Sequence, residues 1–159
     1  MNKIIIGFAF AISSFGAFGA FGAFGAFAQS ADGWPEGGAM HTGNTYNLEG
    51  NRYKTKISKM MDEIYPQLTD DYQVDAVKAQ IKAWEQYIDA TCNVVGIATG
   101  AGGSWPSTYS VKCERSLSYD RYFATKNALK CVNRLSKEGF VGRSEKLNCL
   151  IQTLNIRIF

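Results

Sequence analysis

The sequence predicts an all-α fold, a small bundle of about four helices stapled by two disulfides. From Asn51 onward, apolar residues recur at steps of three and four, which is the period of an amphipathic helix. No stretch alternates enough to indicate a strand, apart from the ambiguous closing Asn-Ile-Arg-Ile-Phe. The cysteines all fall inside this helical region, where a cross-link would join one helix to the next.

Residues 1–28 have the pattern of a secretory signal peptide. Lys3 is the only charged residue before Asp32, and the closing Ala26-Phe27-Ala28 puts small residues at −3 and −1. The alternative is a retained membrane anchor, since about 20 apolar residues can span a bilayer. The Phe-Gly-Ala repeat argues against an anchor, because glycine in every third place makes a poor helix. We therefore expect export to the periplasm, with no membrane attachment after cleavage.

The remainder divides into a flexible N-terminal arm at 29–50 and a single helical domain at 51–159. The arm is rich in Gly, Asn, Ser and Thr and shows no period. It contains His41, the only histidine, which we expect to be exposed to solvent rather than to act as a ligand or a base.

The first two helices are bounded by recognisable caps and breakers. The first begins near Asn51 and is limited by Pro66. The second begins at Asp70, with Gln73 completing a capping box, and it is predicted to end at Gly96.

The last two helices follow a glycine-rich loop. The third is predicted from about Ser110 to Ser136, with Gly139 as a C-cap. Ser144 is the N-cap of a short final helix.

Helix geometry selects the disulfide pairing. A zinc site would need closer pairs such as Cys-x2-Cys, so no metal is expected. Cys113 and Cys131 lie on one helix, roughly 27 Å apart, whereas a disulfide allows about 6 Å between Cα atoms. That excludes this pair, and the crossed pairing would join helix ends that are equally distant. The prediction is Cys92–Cys113 and Cys131–Cys149, each closing a hairpin.

Composition and motifs favour no catalytic chemistry and no cofactor. Without Lys3 the net charge of the chain falls from +3 to +2, too mild and too evenly spread to indicate nucleic-acid binding. The glycine loop has no following lysine to cradle phosphate, and Ser104 has no base nearby in sequence. Adjacent carboxylates such as Asp62 and Glu63 point apart on a helix. A small enzyme built from distant carboxylates stays an alternative.

The stretch Ala98–Ser107 is the candidate binding loop. Its glycines allow close approach to a surface, and Trp105 is a large anchor of the kind that dominates interfaces. The alternative is that Trp105 folds back to cover the helix ends. The loop and the start of the third helix supply the predicted partner-binding residues, which are Gly100, Gly102, Gly103, Ser104, Trp105, Pro106, Tyr109 and Lys112.

This region resembles the LprI-type lysozyme-inhibitor family of bacterial envelope proteins. The resemblance rests on an aromatic helix end with a cysteine, a glycine-serine loop, a second cysteine and an L-x-x-x-R helix. The matching residues are Trp84, Tyr87, Cys92, Gly102, Gly103, Ser104, Tyr109, Cys113, Leu117 and Arg121. The chain departs from the family at Ile88, in lacking an upstream cysteine, and in adding Cys131 and Cys149. The family is similar in design to periplasmic immunity proteins.

The resemblance implies a periplasmic inhibitor or immunity protein that sterically blocks a peptidoglycan-degrading enzyme. The expected partner is a cell-wall hydrolase, with a type VI secretion amidase effector as the first candidate and host lysozyme as the alternative. Lysozymes are strongly basic, so a chain of charge +2 gains no steering toward them. An envelope ligand-binding or structural module is a further alternative, and a homodimer is an alternative to a monomer.

Overall fold

The computed structural model describes residues 33–139, 142 and 144–151, and four α-helices account for most of them. They are α1 (Ala39–Ile64), α2 (Asp71–Ala98), α3 (Trp105–Lys137) and α4 (Glu145–Ile151), with a short 3-10 turn at Tyr65–Gln67. No strand occurs in the part of the chain so described. The all-α prediction is confirmed. The signal peptide, residues 29–32 of the arm and the closing Asn-Ile-Arg-Ile-Phe lie outside the described residues.

The first helix begins at Ala39, so the prediction of a flexible arm is wrong for residues 39–50. Two glycines of this segment lie where α1 packs closely against α3. A Cβ on Gly43 would stand 3.2 Å from the Thr108 Oγ1 atom, and one on Gly50 would stand 3.5 Å from the Arg115 Cα atom. Glycine lowers helix propensity, but the close helix contact that it permits outweighs this cost.

Helices α1 and α3 run parallel, and α2 runs antiparallel to both. Gly43 meets Thr108 near the start of both helices, and the Gln67 side chain donates to Asn133 Oδ1 at 2.8 Å near their ends. The α2 helix returns along α3, so that Cys92 lies beside Cys113. The apolar core lies between these helices and α4, and its most buried members are Ile57, Met61, Ile64, Val77, Ala128, Val132, Cys149 and Leu150.

Both predicted disulfides are confirmed. Cys92 and Cys113 join the end of α2 to the start of α3, with 5.4 Å between their Cα atoms. Cys131 and Cys149 join the end of α3 to α4, with 5.8 Å between their Cα atoms. Each disulfide closes one hairpin, because a helix of 33 residues keeps Cys113 and Cys131 far apart.

The predicted start of α2 is confirmed, and its predicted end is wrong. Asp70 caps the helix, since its side chain accepts a hydrogen bond from the Gln73 amide at 2.9 Å. The prediction that Gly96 ends the helix is wrong, because α2 continues to Ala98 and Gly96 is buried within it. A Cβ at Gly96 would stand 2.5 Å from the Pro106 carbonyl oxygen, so this glycine serves close packing rather than termination.

A buried arginine links α2 to α3. Arg121 is 7% exposed, and its Nη2 donates to the Gln80 Oε1 atom at 2.6 Å. Its guanidinium carbon lies 5.2 Å from the centre of the Trp84 ring, in position for a cation–π contact. Burial lowers the pKa of Arg121 below its ordinary value. These contacts fix the pairing of the two helices halfway along their length.

Candidate interaction site at the loop end of the bundle

The loop between α2 and α3 spans only residues 99–104. Gly100 and Gly103 both have φ of +62°, which favours glycine, and a Cβ built at either position or at Gly102 would meet no atom within 4 Å. The Thr99 hydroxyl donates to the Gly96 carbonyl at 2.8 Å and accepts from the Ala101 amide at 3.4 Å. The loop therefore has an ordered start and an open outer surface.

Two contacts hold the end of α2 against the start of α3 beneath this loop. One is the Cys92–Cys113 disulfide, and the other is the close approach of Gly96 to the Pro106 carbonyl. Both lie within about three turns of the loop. They restrain its two ends, so that less conformational freedom would be lost on binding a partner.

Trp105 and Pro106 belong to the first turn of α3 rather than to the loop, which corrects the predicted start near Ser110. Proline is well suited to the first helical positions, because the amide it lacks would have no intrahelical partner there. Trp105 is 40% exposed, and its ring lies 6.0 Å from the Tyr109 ring, measured between centroids. It therefore rests partly on its own helix and remains partly open to solvent.

The N-terminal segment forms the other wall of the site, which sequence reasoning missed. Residues before and within the first turn of α1 face the loop across an open groove of about 350 Å³. The Thr108 hydroxyl ties this segment to α3 by donating to the Ala39 carbonyl at 2.8 Å. The lining residues are Trp34, Pro35, Gly38, Ala39, Met40, His41, Gly102, Gly103, Ser104 and Trp105.

This end of the bundle, which we call the loop tip (residues 34–41 and 94–105), is almost uncharged. The sequence has no Asp, Glu, Lys or Arg from Gly37 to Leu48 or from Ala90 to Val111, so Glu36 is the one acidic residue of the loop tip. Large apolar side chains nevertheless face solvent here, including Ile97 at 68% and Val94 at 64% exposure. An exposed apolar surface of this kind is typical of an interaction site.

The structure gathers five of the eight predicted binding residues at the loop tip, and Pro106 follows directly after it. Gly100, Gly102, Gly103 and Ser104 form the loop, and Trp105 and Pro106 begin the next helix. Tyr109 packs beside Trp105 one turn further on. Lys112 is exposed, but it lies about 10 Å beyond Trp105 along α3 and does not line the groove. The signal that could have revealed the second wall was the pair Trp34 and Met40 in a segment otherwise polar.

The chemistry available in the groove is limited. His41 and Ser104 both line it, but no carboxylate does among the described residues. No group of three or more His, Cys, Asp or Glu side chains in the described part of the chain could hold a metal ion. No described helix combines the length and the apolar character needed to cross a bilayer.

A second cavity lies between α1 and α2. It has a volume of about 110 Å³ and is lined by Lys54, Ile57, Ser58, Met61, Asp62, Tyr65, Ile81, Trp84 and Glu85. Ligand pockets for small molecules usually measure about 300–1,000 Å³, so this one is small. Burial, with a smaller contribution from Asp62, raises the pKa of the Tyr65 phenol in this lining above its ordinary value.

Comparisons with protein-family models, with curated proteins and with solved structures found no match to this chain.

Proposed function

We propose that this protein is an exported inhibitor or immunity protein that binds a peptidoglycan-degrading enzyme and blocks its substrate groove. The observation that carries the proposal is the loop tip, an exposed and almost uncharged surface restrained by the Cys92–Cys113 disulfide. Two disulfides suggest an oxidising environment outside the cytoplasm, and we assign the protein to the periplasm.

The proposed mechanism is steric. An enzyme that cleaves a cell-wall polymer binds its substrate in an extended groove, and the glycine loop offers a narrow protrusion without side chains at Gly100, Gly102 and Gly103. Trp105 stands at the base of this protrusion, where it would bury apolar area against the groove wall. Because the loop is restrained at both ends, binding would cost little ordering entropy.

The charge of the loop tip favours one target class over another. Inhibition of a strongly basic enzyme such as lysozyme would gain from several acidic groups at the contact, and the loop tip carries only Glu36. A wall hydrolase that is not strongly basic, such as a type VI secretion amidase effector, fits an almost uncharged contact better. Host lysozyme is thus the second target, and the resemblance to LprI-type inhibitors is what supports it.

The alternative to an inhibitor is an envelope ligand-binding or structural module. Its ligand would occupy the cavity of about 110 Å³ between α1 and α2, and its binding would be insensitive to changes at Trp105. The two proposals therefore place the functional surface at different parts of the bundle.

The test is inhibition of purified wall hydrolases by the oxidised protein without residues 1–28. We expect stoichiometric inhibition of an amidase, measured as the release of peptides from peptidoglycan. Trp105→Ala is expected to weaken inhibition by about 30-fold, as for the loss of an interface anchor worth about 2 kcal/mol. Gly102→Arg is expected to abolish inhibition. A Cβ at this position meets no atom within 4 Å and the backbone has no positive φ, so the protein should fold normally while the arginine side chain extends into the space that the enzyme would occupy.

Tyr72→Ala is the matched control. Tyr72 is an aromatic residue with 83% exposure at the start of α2, about 40 Å along that helix from the glycine loop. The Tyr72→Ala variant should inhibit the hydrolase as strongly as the unchanged protein does. Full inhibition by a folded Trp105→Ala/Gly102→Arg double variant would rule out the loop tip as the contact, and turnover of peptidoglycan by the protein alone would rule out an inert inhibitor.

A further inference from the structure

The outward face of α3 carries a line of basic side chains that the loop tip does not use. Residues spaced by three, four, seven or eleven positions share one face of a helix. Five basic residues share the face of Tyr119 and follow one another at steps of three, eleven, four and seven, namely Lys112, Arg115, Lys126, Lys130 and Lys137. They extend over about 37 Å of the helix. All except the half-buried Arg115 are exposed.

Four aromatic rings interrupt this line at its middle. Tyr53 of α1 packs with Tyr119 and Tyr122 of α3 at centroid distances of 5.3 and 5.6 Å. Phe123 lies 4.7 Å from Tyr119 and 5.1 Å from Tyr122. Tyr119 and Phe123 remain 39% and 42% exposed, although burying them in the core would be favourable. The rings form an exposed aromatic surface rather than part of the core.

Cations surround these rings. The Lys56 Nζ atom lies 5.9 Å from the Tyr53 ring centre and 5.4 Å from that of Tyr122, and the Arg115 guanidinium carbon lies 5.7 Å from Tyr119. Arg115 is held in place by Glu49, at 2.8 Å. No ion pair among the described residues involves Lys56, Lys112, Lys126, Lys130 or Lys137.

The charges of the bundle are therefore separated by face. Helix α3 has seven basic and two acidic residues, whereas α2 has two basic and four acidic residues. The small net charge of the whole chain conceals this difference. A basic helix face with unpaired lysines attracts polyanions and raises their local concentration.

We propose that this face, made of the α3 lysines and the ring cluster Tyr53, Tyr119, Tyr122 and Phe123, binds an anionic glycan strand. Lysines spaced along the helix match the repeating carboxylates of a linear polymer. The exposed rings match the apolar faces of pyranose sugars, which stack on aromatic side chains. The inference does not depend on the inhibitor proposal, because it concerns the side of the bundle and not the loop tip.

An anionic bilayer would be a less suitable partner for the same surface. A helix that lies in a bilayer interface exposes a broad apolar face, whereas only two rings are exposed here among lysines on both sides. An acidic protein would satisfy the lysines but would not require a line of charges about 37 Å long. The linear arrangement therefore favours an extended polymer.

The experiment measures binding of the oxidised protein to a hyaluronan octasaccharide, whose N-acetylated and carboxylated pyranoses represent the proposed class. We expect binding that weakens as salt rises, because exposed charges are screened within about 10 Å at 0.1 M salt. A chitin octasaccharide, which has the same length and no charge, should bind at least about tenfold more weakly. Vesicles containing phosphatidylglycerol should not bind.

Variants separate the two parts of the surface. Lys126→Glu/Lys130→Glu should weaken hyaluronan binding by at least about tenfold, since two attractions become repulsions. Tyr119→Ala/Phe123→Ala should weaken it by about fivefold without changing its salt dependence. The matched control, Lys78→Glu/Lys82→Glu, makes the same change of charge on α2 and should bind within about twofold of the unchanged protein.

Three results would overturn the inference. They are the absence of hyaluronan binding at low salt, an equal loss in the α2 control, and vesicle binding at least as strong as glycan binding. The Lys126→Glu/Lys130→Glu variant also distinguishes this inference from the inhibitor proposal. Its inhibition of the hydrolase should equal that of the unchanged protein, so either proposal can fail while the other stands.

Discussion

The backbone of Gly96 on α2 lies against the carbonyl oxygen of Pro106 on α3, so closely that a Cβ at Gly96 would stand 2.5 Å from that oxygen. Gly96→Ala should therefore force the two helices apart beneath the loop. We expect a net loss of about 1–2 kcal/mol in the free energy of unfolding, since overpacking outweighs the gain in helix propensity. Urea denaturation measures this loss. Gly102→Ala, at an open position, is the control and should change stability little.

The two disulfides should contribute similarly to stability and differently to function. Their cysteines are 21 and 18 residues apart, so each should stabilise the fold by about 3 kcal/mol in the chain-entropy model. Cys92→Ala/Cys113→Ala should also weaken hydrolase inhibition, because it releases the ends of the loop. Cys131→Ala/Cys149→Ala should leave inhibition intact at temperatures where the variant is folded. Equal effects on inhibition would contradict a specific role for the first disulfide.

Gln80 should be needed to accommodate the buried Arg121. The hydrogen bond between them measures 2.6 Å and involves a charged group in a buried environment. Gln80→Leu is expected to destabilise the fold by about 2 kcal/mol, because the guanidinium loses an acceptor that water cannot replace. Gln86→Leu, at an exposed position of the same helix, is the matched control. Thermal melts of both variants test the difference, and similar melting temperatures would contradict it.

Tyr65 should make the fold sensitive to alkaline pH. Burial, with a smaller contribution from Asp62, raises the pKa of its phenol above the ordinary value of 10.0. The unfolded chain therefore loses this proton at a lower pH than the folded chain does. Its contribution to stability is complete below pH 10.0 and is lost as pH rises through the folded pKa.

Tyr65→Phe removes this titration while keeping the ring. Unfolding free energies at about pH 8 and about pH 10.5 should fall less in the variant than in the unchanged protein. A fall of equal size in both would show that Tyr65 is not responsible.

The sequence was most informative where the pattern was local. Asp70 and Gln73 predicted the start of α2, and the cysteine spacing along one helix predicted both disulfides. It was least informative where packing between distant segments decides the structure. Gly43 and Gly50 resemble loop residues when read alone, and only their contact with Thr108 and Arg115 explains why they are helical.

The candidate site was likewise predicted in part. The glycine loop and Trp105 were identified from residue type, whereas the wall formed by Trp34 and Met40 was not. Helix α1 must be placed parallel to α3 before that wall becomes adjacent to the loop, and no short-range pattern specifies such a placement. The basic face of α3 was not predicted for another reason. The net charge of the chain sums over all helices, so the acidic residues of α2 offset the lysines of α3.

Trp34 and Ser104 line the same groove, and this has a practical consequence for handling the protein. An affinity tag or fluorescent reporter fused ahead of Gly33 would emerge next to the glycine loop and would compete with any partner for access to it. Immobilisation through an engineered cysteine in place of Tyr72, about 40 Å along α2 from that loop, would leave it unobstructed.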